Sequence, residues 1–172
     1  MSGMAGNAAD GMARQNAGDP TAAEIVLADA VLAGAAGLAV WEACARLAAP
    51  ALLGTPLEPA AFLVRRLGVD LPAARAWHVL TGGLVIPLAY LLVLRRLLPS
   101  APPWWMAGPG LGLAVWAFAI LGIGRLGAGA VVPAFGAHGL VVLVAHIAMG
   151  AFVAAVAQWR AMRRRPGKDQ AM

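Results

Sequence analysis

The chain has 172 residues, 61% of them hydrophobic and only 12% charged. Soluble domains carry about 25% charge, so an ordinary water-soluble domain is excluded, and the apolar residues lie in blocks long enough to cross a bilayer. The formal net charge of +5 comes from basic residues at the ends of those blocks, a topology signal rather than a nucleic-acid footprint, and the single cysteine, Cys44, excludes an intramolecular disulfide.

Residues 1–20 are rich in Gly, Ala, Asn and Asp and lack the basic start and apolar run of a signal peptide. They read as a disordered tail. Thr21 followed by Glu24 is a capping box, which predicts a helix start there. The first span covers about 21–53, with a membrane part at 30–49 that is about 30 Å long. Pro50 and Gly54 mark its end, Glu24 and Asp29 fall at headgroup level, and Glu42 and Arg46 lie inside it.

Residues 55–71 hold a short helix, with Pro59 at its first position and Gly68 at its exit. Phe62, Leu63 and Leu67 are placed to dip into lipid while Arg65 and Arg66 reach headgroups, the pattern of an interfacial helix. The second span, 72–98, ends in Arg95 and Arg96, and Pro99, Pro102 and Pro103 make a rigid link. The third, 104–124, opens on the interfacial pair Trp104 and Trp105, and Gly108, Gly110 and Gly112 stripe its first half, so that helix backbones can approach. Residues 124–136 form a glycine-rich loop. The fourth span, 137–160, precedes a basic tail over 161–172 with Arg163, Arg164, Arg165 and Lys168.

Four spans put both termini on one side. That side holds Arg14, Arg95, Arg96, Arg160, Arg163, Arg164, Arg165 and Lys168, and the other holds Arg65, Arg66, Arg75 and Arg125. The positive-inside bias therefore places both termini in the cytoplasm.

The sequence Gly37-Leu-Ala-Val-Trp41 recurs as Gly112-Leu-Ala-Val-Trp116, and His78-x-x-x-Gly82 recurs as His146-x-x-x-Gly150. Each histidine precedes an arginine, Arg95 or Arg163, by 17 residues. The expectation is an all-α, four-transmembrane-helix bundle built from two similar two-helix units, with the short interfacial helix between helices one and two. Gly37, Gly82, Gly112 and Gly150 are the expected helix-packing positions.

These repeated motifs and the four spans resemble the YagU-like group of small bacterial inner-membrane proteins, over about 30–159. The resemblance implies a four-helix fold in a bacterial inner membrane and little about function. It also implies an acidic residue after the first helix motif, a place that Glu42 occupies; the counterpart in the third span is Ala117.

Glu42, Arg46, His78 and His146 all fall in the outer half of the bilayer, the histidines about 25 Å from the arginine level at about 1.5 Å per residue. Ionisable groups there are expected to face inward and pair, forming a buried polar cluster. Glu42 and Arg46 have the i,i+4 order of an ion pair, and the histidines can hydrogen-bond across helices. Two histidines at equal depth on different helices also suit a haem b, with His78 and His146 as axial ligands and Arg46 near a propionate. A metal site would use His78, His146 and Glu42. A proton or small-solute path through the same groups is a further alternative. His138 reads as a solvated interfacial residue.

No phosphate loop, Gly-x-Ser-x-Gly, Cys-x-x-Cys or His-Glu-x-x-His is present, and Ser2 and Ser100 are the only serines. The expectation is a non-catalytic accessory, assembly or structural subunit of a membrane complex. Its partners would be the lipid bilayer and other membrane subunits or further copies of the chain, with no nucleic acid.

Overall fold

Among residues 21–95, 102–126 and 136–164, which the computed structural model describes, the chain forms helices and no strand. The expected N-terminal tail, residues 96–101, most of the glycine-rich loop and the tail beyond 164 lie outside the described residues. The helices are α1 (Ala22–Leu53), α2 (Pro59–Leu67), α3 (Leu71–Leu94), α4 (Trp104–Arg125) and α5 (Ala137–Arg163). All but α2 are long and apolar enough to cross a membrane, so the chain is a multi-pass helical membrane protein.

Local chemistry explains the helix ends. Thr21 and Glu24 form a reciprocal capping box: Glu24 Oε2 accepts from the Thr21 N–H at 2.7 Å, and Thr21 Oγ1 accepts from the Glu24 N–H at 3.3 Å. Asp70 accepts from the Ala73 N–H at 2.7 Å to start α3. Pro103 has no side-chain acceptor to start α4. Gln158 of α5 supplies it instead, its Oε1 accepting the Trp104 N–H at 3.0 Å.

Pro50 does not end α1; Gly54 does, in the left-handed conformation at φ 74°. The helix passes the proline by widening into a π turn over Cys44–Ala48, in which the Ala49 N–H reaches back to the Cys44 carbonyl. The next donor in that register would be residue 50, and proline has none. The Ala45 carbonyl is therefore left for the Leu57 N–H, which bonds it at 3.1 Å. This bond folds the connection back over the end of the bundle and buries Leu57.

α5 is the central helix, packed along α4 on one side and α1 on the other. α3 packs on α1 mainly through Thr81–Ala89. The interfaces are built from small residues, as expected where helices associate in lipid by close van der Waals contact. Gly34 lies against the Gly83 backbone, and Gly82 against Leu38. Gly37 faces Met149 and Val153, Gly112 faces the backbone of His146 and Ile147, and Gly108 faces that of Gly150 and Ala151. Gly110, from the same stripe, has nothing within 4 Å of where a β-carbon would stand. Leu27, Val31, Val85, Leu113, Val144 and Phe152 point outward, as lipid-facing side chains do.

α2 lies across the end where α3 begins and α4 finishes. Its Leu63 packs with Ala60 and Ala74, and Phe62 and Ile123 close around them. Leu63 is thus turned into the protein rather than toward lipid, and Arg66, only 9% exposed, is buried rather than extended to headgroups. The cause is the packing partner: Ala74 on α3 is small enough to admit the Leu63 side of α2.

Candidate functional site

Trp41 and Ala45 take the inward face of α1 and are 3% and 1% exposed. Around the Trp41 indole the bundle gathers two histidines from different helices. The His78 ring of α3 lies edge-on with its centroid 5.0 Å away, and the His146 ring of α5 lies edge-on at 5.9 Å. The two rings that the sequence places at matching positions therefore meet at one indole, at one depth.

The polar atoms of this group are distinct. His146 is buried, and its Nδ1 lies 2.8 Å from the Val142 carbonyl oxygen. A carbonyl oxygen only accepts, so Nδ1 carries the hydrogen and donates. Nε2 of His146 is then the acceptor nitrogen. The His78 Nε2 and the Trp41 Nε1–H are buried with no hydrogen-bond partner among the described residues. Such groups are costly in a dry interior, about 1–3 kcal/mol each.

The expected buried cluster divides in two. Glu42 and Arg46 do pair, Arg46 Nε donating to Glu42 Oε2 at 2.5 Å. Their side chains are 39% and 70% exposed, so the pair stands on the outside of α1. The reason is rotation: each lies one residue beyond an inward position, Trp41 or Ala45, and one residue turns the helix by about 100°. Glu42 remains within electrostatic reach of His78. Among the described residues no three His, Cys, Asp or Glu side chains gather as metal ligands would, so His78, His146 and Glu42 are not assembled as a metal centre. Arg46 is committed to Glu42 and faces away from the histidines' interior position. His138 is exposed near the start of α5, and Cys44 is half-buried.

Two features carry no strong local signal in the sequence. The first is an ionic clamp between α1 and α5. Asp29 accepts from Arg160 Nε at 2.9 Å and from Arg164 Nη1 at 2.7 Å, and the second Arg164 nitrogen, Nη2, pairs with its other oxygen. The Asp29 side chain is 5% exposed, so it faces the bundle interior. Hydrogen bonding to Asp29 holds the Arg164 guanidinium above its ordinary pKa. The available signal was positional: Asp29 sits early in α1, and Arg160 and Arg164, four residues apart at the end of the antiparallel α5, share one face.

The second is a slot. α3 and α4 are consecutive, yet they stand apart and leave a cavity of about 640 Å³. Its lining is apolar except for Tyr90 and includes Ala89, Met106, Gly110, Leu111 and Ala114. A smaller recess of about 170 Å³ lies between Cys44, Leu52 and Val144. Neither is lined by His78 or His146. Comparison of the chain with protein families, with curated proteins and with solved structures finds no match.

Proposed function

We propose that this protein is a non-catalytic subunit of a membrane complex that works through helix contacts, and that the slot between α3 and α4 receives a transmembrane helix of a partner subunit. The observation that carries this reading is the contrast between interfaces. Where α1 meets α3 and α5, and where α4 meets α5, glycine lies against backbone or a neighbouring side chain. Where α3 faces α4, Gly110 meets nothing, and the walls are small or apolar side chains with one phenol. Small residues on an open helix face favour close approach of another helix in lipid, and a buried tyrosine hydroxyl can hydrogen-bond across it.

The test is purification in a mild detergent. A companion subunit is expected to stay with the wild type and to be lost from Gly110→Leu, which puts a bulky side chain into the slot from a position where a β-carbon has nothing of its own bundle within 4 Å. A wild-type protein that runs as a lone monomer, or a companion retained equally by Gly110→Leu, refutes the reading.

The finer architecture belongs to the same proposal. The α1–α3 and α4–α5 pairs are read as two similar units, supported by Gly34 on Gly83 in one and Gly108 on Ala151 in the other. α2 is read as an interfacial helix, and the grouping with YagU-like proteins rests on the motifs. We place the protein in a bacterial inner membrane with both termini cytoplasmic, from the arginine distribution; labelling of cysteines introduced at Ser2 or Gly167 from the periplasmic side alone would refute it.

A second reading is a haem b carried by His78 and His146, favoured by their meeting at Trp41 and by the His78 Nε2, which is buried with no hydrogen-bond partner among the described residues. Against it, the Trp41 indole already fills the space beside both imidazoles, and no cavity described above opens between them. Purified protein from haem-supplemented cells would show a Soret band under this reading and none under the first.

A further inference from the structure

α5 ends in three arginines, Arg160, Arg163 and Arg164, spaced to share one side of the helix. They are not equivalent. Arg160 and Arg164 are fixed from within by Asp29, which is 5% exposed, while their own side chains remain 32% and 37% exposed. Arg163 is exposed and lies over the Trp159 ring, its guanidinium carbon 4.3 Å from the centroid. Asp29 occupies only part of the donor set of two guanidinium groups. One carboxylate therefore stands against three cations, and donors remain on the outward side.

The surroundings are those of a membrane interface. Trp104, Trp105 and Trp159 are 43%, 60% and 45% exposed. Gln158 ties the start of α4 to this same end of α5. Indoles gather at headgroup level, so the arginines lie at the depth of lipid phosphates. We propose that Arg160, Arg163 and Arg164 form a binding site for the phosphate group of an anionic phospholipid, with Asp29 as the buried counter-charge that orients two of the three guanidinium groups. The planar guanidinium fork matches phosphate oxygens in pairs. Orientation by Asp29 lowers the ordering cost of binding, because the side chains are placed before the lipid arrives. This site is separate from the α3–α4 slot and does not depend on its occupant.

The test is native mass spectrometry of the full chain released from detergent with added phosphatidylglycerol or phosphatidylcholine of identical acyl chains. Wild type is expected to retain phosphatidylglycerol preferentially. Arg163→Gln, at an exposed position with no bond to Asp29, is expected to weaken that retention roughly fivefold, the effect of one interfacial arginine. Asp29→Asn keeps the side-chain shape and removes the carboxylate that orients Arg160 and Arg164, so it is expected to weaken retention; an ion pair with no part in lipid binding would leave it unchanged. Equal retention of the two lipids by wild type overturns the proposal, as does a preference untouched by the Arg160→Gln/Arg163→Gln double variant. Displacement of phosphatidylglycerol by millimolar inorganic phosphate would assign the site to free phosphate and also overturn it.

Discussion

Gly112 lies directly against the main chain of His146: a β-carbon at position 112 would overlap the His146 carbonyl oxygen. The second copy of the Gly-to-Trp motif and the second histidine motif therefore touch backbone to backbone, and α4 can sit this close to α5 only because residue 112 has no side chain. Gly37, the equivalent glycine of the first copy, also faces α5, against Met149 and Val153. α5 thus receives both motif glycines, which is why it is the central helix.

Gly112→Ala is expected to push α4 away from α5 and destabilise the fold by about 1–3 kcal/mol, the range for overpacking a close contact. Gly110→Ala, two residues away, meets nothing and is expected to be neutral or to stabilise by up to about 1 kcal/mol through helix propensity. Thermal unfolding of the two variants in the same detergent checks the pair; equal effects would mean that the α4–α5 interface is not held at Gly112.

The four spans were legible because apolar blocks of membrane length need no tertiary information. Thr21 and Glu24 were legible for a similar reason: a capping box is a contact within four residues. The histidine positions could be matched from the repeat, but their meeting at Trp41 depends on how α1, α3 and α5 rotate about their axes. The same rotation sends Glu42 and Arg46 outward, which spacing along one helix does not reveal. Asp29 with Arg160 and Arg164 joins residues more than 130 positions apart, so no local pattern encodes it. Pro50 misleads for a different reason: a proline usually stops or kinks a helix, and here a π turn and the Leu57 N–H absorb it.

The two ion pairs are expected to respond differently to mutation. Asp29→Ala leaves Arg160 and Arg164 without their shared acceptor, at a cost of about 1–3 kcal/mol, moderated because both arginines are about a third exposed. Glu42→Ala is expected to cost about 1 kcal/mol or less, as for exposed pairs. Removing both Glu42 and Arg46 then brings no relief over removing Arg46 alone, contrary to what a buried pair would give. Unfolding midpoints of the four variants measure this, and a larger loss for Glu42→Ala than for Asp29→Ala would contradict the burial assigned to each.

Pro50→Ala restores a backbone N–H at the position where the π turn lacks one. In that register the new donor competes with Leu57 for the Ala45 carbonyl. The Leu57 amide is expected to lose protection by roughly fivefold, the equivalent of one hydrogen bond of about 1 kcal/mol, while amides early in α1 stay unchanged. Hydrogen exchange read by mass spectrometry over 55–60 checks it. Unchanged protection of Leu57 would mean that its bond to Ala45 does not depend on the proline.

The last prediction separates the two readings of the histidines. His146 Nδ1 donates to the Val142 carbonyl, whereas the His78 Nε2 is buried with no partner. Without a shared ligand, His78→Leu trades an unsatisfied buried nitrogen for an apolar side chain and is expected to lie within about 1 kcal/mol of wild type. His146→Leu forfeits a hydrogen bond and is expected to cost about 1 kcal/mol more. The rings pack on the same indole, so even without a ligand their losses are expected to couple, by roughly 0.5 kcal/mol at the low end for residues that share a partner. A shared ligand changes the arithmetic. If one iron bridges His78 and His146, either replacement abolishes the bridge, and the double variant costs little more than the worse single one. Thermal unfolding of the two single variants and the double variant, read alongside the visible spectrum, therefore decides the matter: weakly coupled losses with no Soret band support a packing role, and strongly sub-additive losses with a band that vanishes in each single variant support the haem.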